Sequence, residues 1–570
     1  MYRHRRSAAL LLLLVIAASA MCVPARRNVI AIQQPDGSTL HLRTAGDEFS
    51  HYLLTTDDVM VAKADDNSIR YVTSIGPSGT VLMSDMAHDA TSRSASEKVL
   101  LSQIDQSELV EAYSEKRTAA PGEYSVSAIR PFGEMRSLVL LVEFPDKPFT
   151  KDSGPIRQTF NDMLNRHGYR DTVFYNGERI SFQGSARDYF EAQSYGQFLP
   201  QFDVIGPIMA DSSYAYYGKG TNDYVTTSRL MDEVCRKAYK QHLFNPADYD
   251  SNMDGEADFI FMVYAGRGEN YSGSDPNTIW PHIYYFNSEF EGIRFSRYAC
   301  SCEVFFDSED IIDGIGTFCH EFAHIIGLPD FYDVTSGRVF ALNSWSIMDY
   351  GQYDNYDFSP AGMTAFERFS IGWMDIITLD SPGRFSLEDI GHTGIAYRLN
   401  TDDPDKFLIL ENHDRTGWFS YQASAGLMVT AVSYNKALWQ SNHINTNGRN
   451  RHYYILPADN VYDSGTLSGD LFPYNGNDSL TVWSKPASMT SEGYYTELPV
   501  YDITYVNGVS SFTIPSPTAV TTAATESAVM EIRTAGGITD YSKPAGGHAG
   551  QPAGIRIVRA GDKVSKVLVP

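Results

Sequence analysis

The stretch Gly316–Asp333, GTFCHEFAHIIGLPDFYD, constrains this chain more than any other. His320 and His324 are four residues apart, so on a helix both rings leave the same face. Two neutral imidazoles presented that way can chelate a zinc ion. Glu321 sits one position round, where a carboxylate can take a proton from water and pass it to a leaving amine. Gly327 stands where the chain must turn sharply, which a residue without Cβ allows. Asp330, ten residues after His320, is then the candidate third ligand, and three protein ligands leave the fourth position that a catalytic zinc needs. The fold must therefore contain a buried helix that stops at Gly327 and a chain that doubles back on it.

A plain core helix is the competing account. Ile311, Ile315, Phe318, Phe322 and Ile325 form an apolar face without any reference to metal. With average residue usage, His-Glu-x-x-His arises by chance in roughly one such sequence in fifty, so the bare motif only suggests a site. The glycine and aspartate at their distances tighten it. So does NSWSIMDYGQYDN downstream, with Met348 in an expected tight turn and Tyr350 two residues later. With these elements the chain resembles the M6 family of secreted metallopeptidases, the immune-inhibitor-A-like group, and the wider metzincin clan. The family motif maps onto His320, Glu321, His324, Gly327 and Asp330, with Met348 as the turn methionine. GSARDYFEAQSYGQF and SPAGMTAFERFSIGW also resemble family segments, so the likeness runs from about residue 136 to 515. It implies zinc on His320, His324 and Asp330, Glu321 as general base, and Tyr350 stabilising the oxyanion. The chain departs from the family in GLMVTAVSY, where Thr430 and Ala431 replace an aromatic-His pair.

The N-terminus bears on where such a chemistry would operate. Arg3, Arg5 and Arg6 precede an apolar run from Ala8 to Ala18, and Ala18-Ser19-Ala20 is a small-x-small cleavage site, so residues 1–20 read as a secretory signal peptide. The run is too short to span a bilayer comfortably. The residues before Cys22 lack the pattern of a lipidation site. A net charge of −25 leaves no basic excess for nucleic acid. Export permits disulfides, and one or two are expected among Cys235, Cys300, Cys302 and Cys319.

The chain of 570 residues is too long for one core. Residues 21–125 read as a prosegment, opening with two strands around a Pro-Asp-Gly turn and closing on a helix-prone stretch and an exposed linker. Residues 126–377 read as an α+β catalytic domain with a twisted sheet and the site helix. In it, Leu138–Val142 and the ADFIFMVYAG stretch are buried strands, and Ser185 caps a helix whose first turn holds Asp188. Residues 378–516 read as a β-sandwich, and 517–570 as a linker and short tail resembling the C-terminal sorting regions of some secreted Gram-negative bacterial proteins. The loop DYDSNMDGEAD offers Asp250, Asn252, Asp254, Glu256 and Asp258 as calcium ligands around Gly255, but position twelve is Phe261, so it is not a full EF-hand. An acidic turn held by its own side chains is the other account.

The sequence thus predicts a secreted zinc endopeptidase acting on extracellular or host proteins and stabilised by calcium, and the resemblance implies that it is made as a latent precursor. The alternative is a calcium-stabilised adhesin on a scaffold without turnover. Apart from Cys22 at its very start, the prosegment has no cysteine to block a metal. If the zinc is blocked directly, an acidic side chain must do it, and Asp47, preceded by Gly46, resembles the aspartate switch of some metzincin prosegments; a plain turn between strands is the other account.

Overall fold

Five consecutive residues, Leu138 to Val142, are fully buried, because their strand is flanked on both edges and covered on both faces. The computed structural model describes residues 21–516 apart from 27–28, 47–50, 65, 77–79, 118–130, 219–222, 272–276, 307 and 309, together with 530–534, 537–538, 554–560 and 563–569. The expected signal peptide lies outside the described residues.

Strand Gly133–Glu143 pairs in parallel with Phe198–Met209 on one side and Ile260–Arg267 on the other. Beyond Ile260–Arg267 come Ile293–Val304, in parallel, and His282–Phe290, which forms an antiparallel hairpin with it. The sixth strand, at the far edge, is Met21–Cys22. The first described residues thus complete the central sheet.

Helix Ala186–Gln193 starts as the sequence predicts. Ser185 Oγ accepts from the Asp188 amide at 3.1 Å, and the Asp188 carboxylate accepts from the Ser185 amide at 2.8 Å. The site helix, Gly316–Ile325, differs from expectation in its burial. A single apolar face is predicted, whereas all ten residues are buried. Phe318 and Phe322 lie against Phe202, Phe259 and Phe261 of the sheet. The histidine side is enclosed by the turn holding Met348. The first turn has no local cap. Asp357, forty residues on, accepts from the Thr317 amide at 2.7 Å and from its hydroxyl at 3.0 Å. This long-range cap presses against Gly316, where a Cβ would collide with the Gln352 carbonyl oxygen and the Asp357 carboxylate.

Residues 30–86 form a six-stranded antiparallel meander. Leu40, Leu42, Val61 and Tyr71 pack on one face, and Tyr52, Leu54 and Met60 pack with Val110 of helix Gln106–Arg117 on the other. C-terminal to the site, strand Lys406–His413 is buried on both sides. Phe407 and Ile409 join the main core, while Leu408 and Leu410 join a second core shared with Leu387, Phe512 and Ile514 of a three-stranded sheet. Residues 384–514 accordingly form one compact unit with the chain up to Asp380. A separate unit contains a four-stranded antiparallel sheet built from Met530–Thr534, Gly537–Ile538, Gly554–Ala560 and Lys563–Val569. Among the described residues no helix is long and apolar enough to cross a membrane.

The disulfide expectation is corrected. Cys235, Cys300, Cys302 and Cys319 are all buried, and none of them is joined in a disulfide. They are small apolar fillers of separate core positions, and burial pushes the Cys319 thiol well above its ordinary range.

The helix start gives a direct test. Gly316→Ala should lower stability by at least about 2 kcal/mol, the scale of overpacking a close contact, read as a drop of several degrees in the thermal midpoint. An unchanged midpoint would mean that the Asp357 cap tolerates a Cβ and does not fix the helix start.

Candidate metal centre

His320 and His324 face the same point because each ring is held by its far nitrogen. His320 Nδ1 is 2.7 Å from the Ile347 carbonyl oxygen, and His324 Nδ1 is 2.7 Å from the Leu328 carbonyl oxygen. A carbonyl can only accept, so both Nδ1 atoms carry a proton, and in a neutral ring the Nε2 facing inward is then a lone pair. Burial holds His320 below the usual histidine range, in the neutral form that ligates.

Those two lone pairs lie 3.1 Å apart. Asp330 Oδ1 is 3.2 Å from one and 3.3 Å from the other. Three acceptors thus converge in a fully buried space with no proton between them. Such a set repels itself unless a cation occupies the centre, and two imidazoles with one carboxylate suit a divalent transition metal. Among the described residues this is the only group of three such side chains with its ligand atoms together, all within 4.8 Å.

The turn that delivers Asp330 depends on Gly327, whose φ of +116° is open only to glycine. Met348 underlies the site fully buried, and its carbonyl accepts from the Phe331 amide at 2.8 Å. The carbonyl that fixes His320 comes from Ile347, the residue before it. Glu321, also fully buried, accepts from the Val23 amide at 3.1 Å through Oε1. The strand Met21–Cys22, with Cys22 opposite His282, leads the chain directly onto that carboxylate.

With this geometry established, comparison with known proteins is informative. Residues 133–373 match the family described as Immune inhibitor A peptidase M6, catalytic domain. The segment is similar to the M6 peptidases, over less than half of the chain. It is similar to the Pre-pro-metalloprotease PrtV of Vibrio cholerae serotype O1, 28% identical over 249 residues, which is 38% of this chain and 27% of that protein. It is also similar to Immune inhibitor A of Bacillus thuringiensis subsp. alesti, 23% identical over 283 residues, 43% of this chain and 41% of that protein. The chain spans well under half the length of either relative.

The M6 segment does not contain the whole site. Asn442, beyond its end, donates from Nδ2 to Asp330 Oδ2 at 2.6 Å and accepts from the Asp330 amide at 2.7 Å. This clasp turns Oδ1 toward the imidazoles. Sequence reasoning missed Asn442, and nothing in LWQSNHINTNG marks it. Tyr350 follows Met348 as expected and is half-buried, its ring near those of Tyr332 and Tyr353. Asp47, the expected latch, lies outside the described residues.

The acidic loop is organised without bringing its carboxylates to one point. Asp250 Oδ1 and Asn252 Oδ1 both accept from the Asp254 amide, at 3.0 and 3.1 Å. Asp254 accepts from the Glu256 amide at 2.9 Å, and Glu256 pairs with Arg294. Asp258 is buried, which pushes its carboxyl up. Its Oδ2 accepts from the Ser251 amide, and its Oδ1 has no hydrogen-bond partner.

Asn442→Ala should weaken divalent-metal affinity by roughly 10- to 100-fold, the usual cost of losing a partner that orients a ligand, measured by competition with a chromogenic chelator. Unchanged affinity would show that Asp330 is oriented by its backbone alone.

Proposed function

We propose that this chain is a secreted zinc-dependent endopeptidase, made as a latent precursor, that hydrolyses extracellular proteins. The observation that carries the reading is the Val23 amide on Glu321. An extended peptide lies with a backbone nitrogen 3.1 Å from the carboxylate that the family likeness assigns as general base and acid.

In this reading His320, His324 and Asp330 hold zinc, which supplies Lewis acidity toward a carbonyl and toward water. Glu321 takes the proton of the attacking water and delivers it to the nitrogen of the departing amine. Its buried setting keeps bulk water from competing for that proton. Main-chain pairing along His282–Phe290 aligns the substrate, as it aligns Met21–Cys22. Tyr350 is assigned to the oxyanion from its place two residues after Met348. The Asp349 carboxylate supports this by fixing the turn, accepting from the amides of Leu342, Asn343 and Tyr350.

Latency follows from the same strand. A substrate that pairs with His282–Phe290 must displace Met21–Cys22 first. The relative named a pre-pro-metalloprotease carries a precursor in its name, which accords with this reading. Secretion rests on the signal-like residues 1–20. The tail resemblance adds a sorting route through a dedicated export machine.

Replacing Glu321 with Gln keeps size and removes the base. The expected result is a chain that still binds one equivalent of zinc while casein cleavage falls by two or more orders of magnitude, roughly the contribution of general acid–base catalysis. Wild-type turnover by the zinc-loaded mutant would end this mechanism. The acidic loop is proposed to take calcium, supported by the buried, unpartnered Asp258 Oδ1. Chelating calcium with zinc kept saturated should lower the melting temperature in wild type and not in Asp254→Ala. Identical wild-type melting curves would assign the loop to ordinary surface structure.

A further inference from the structure

Three residues beyond the amide on Glu321, the Arg26 side chain enters a box of four aromatic rings. Its guanidinium carbon lies 5.1 Å from the ring centre of Phe305, 5.4 Å from Phe306, 5.4 Å from Tyr353 and 5.5 Å from Tyr271. Each distance is within the range of a cation–π contact, and four on one cation far exceed what packing requires. Arg26 is only 7% exposed, and its Nη1 is buried without a hydrogen-bond partner. A long charged side chain does not bury itself in this way on an ordinary surface.

Beneath the rings are two buried carboxyls, Asp313 and Asp357. The Tyr271 hydroxyl reaches both, at 3.3 Å and 2.7 Å. Asn270 lies beside them, donating to the Tyr353 hydroxyl at 3.3 Å and leaving its own buried Oδ1 without a partner. The box is therefore lined by ring faces and backed by acid. The chain leading to it is gripped through its backbone. Trp280 Nε1 donates to the Val23 carbonyl at 3.0 Å, and the Tyr353 hydroxyl donates to the Pro24 carbonyl at 2.8 Å. Backbone grips of this kind accept many sequences, whereas the box selects one side chain.

We propose that this box is the enzyme's subsite for an arginine side chain on the leaving-group side of the cleaved bond, four residues beyond it, occupied in the precursor by Arg26. The proposal rests on the peptidase reading, because the amide on Glu321 sets the count. Arginine fits better than lysine because a flat guanidinium stacks on several rings at once. The positive charge also pulls against the burial that raises Asp313 and Asp357, so a cation in the box stabilises the acid behind it. Citrulline, which has the shape of arginine without its charge, is the informative substitute.

The test uses the zinc-loaded full chain. In R26Q, amide hydrogen exchange at Val23 and Ala25 should rise at least tenfold, with a smaller rise in R26K, and casein cleavage should begin before any processing. Unchanged exchange in R26Q overturns the proposal whether or not the chain cleaves anything. On the activated chain, peptides differing only at the fourth residue after the cleaved bond are then compared. The expected kcat/KM is at least tenfold higher for arginine than for citrulline. Equal rates overturn the subsite and leave the peptidase reading standing. Failure to cleave casein or any peptide removes the peptidase reading, and the substrate subsite falls with it.

Discussion

The arrangement around residues 316–357 depends on two backbone carbonyls that take the Nδ1 protons of His320 and His324. With those protons committed outward, neutral rings turn lone pairs inward, and the buried Asp330 Oδ1 adds a third acceptor 3.2 to 3.3 Å away. With both rings neutral, a cation at the centre relieves that repulsion and leaves both outward bonds intact. The need for a cation is thus written into backbone geometry. The geometry in turn requires the turn at Met348 to sit under the helix, with the Ile347 carbonyl against it. Ser346 and Glu367 hold that turn from below, the serine hydroxyl donating to the carboxylate in a short bond. Burial pushes Glu367 up to about 7.

The N-terminal segment is held over this centre at several points along the chain. Beyond the pairing of Met21–Cys22, His51 pairs with the buried Glu269 at 3.0 Å and stacks on Trp280. The Tyr52 hydroxyl donates to the Ser336 carbonyl at 2.6 Å, and Arg338 donates to Ser107 at 3.2 Å. Individually such contacts contribute about 1 kcal/mol. Together they keep the effective concentration of strand Met21–Cys22 beside its partner strand high.

The sequence revealed local chemistry well and long-range closure poorly. The His-Glu-x-x-His spacing fixes a helix and a chelating pair, because both follow from the 3.6-residue period. Ser185 and Asp188 act within one turn and were equally readable. Asp357 capping a helix forty residues earlier, and Asn442 orienting Asp330 across 112 positions, leave no periodic trace. The start of the chain shows the same gap between sequence position and spatial position. Met21–Cys22, at the very start of the described chain, pair with His282 and Ile283 at the edge of the central sheet. Position along the chain said nothing about position against the sheet. The expectation of disulfides erred by reading compartment where packing governs, since all four cysteines fill core sites.

The family match ends at residue 373, but the physical site does not. Trp345, next to the turn under the metal centre, donates from its indole nitrogen to Asp470 at 2.7 Å. The Tyr453 hydroxyl donates to Thr364 Oγ1 at 2.8 Å, at the cap of helix Ala365–Ile371. Each is a buried polar bond whose loss leaves an unsatisfied partner, which costs more than the bond itself contributes. With strand Lys406–His413 buried on both faces, the C-terminal sheet cannot separate without exposing two cores at once. A chain truncated at residue 373 would lose the Asn442 clasp on Asp330 and the anchor on Trp345 together. Helix Gly316–Ile325 would remain in such a fragment without the contact that orients Asp330 toward its two histidines.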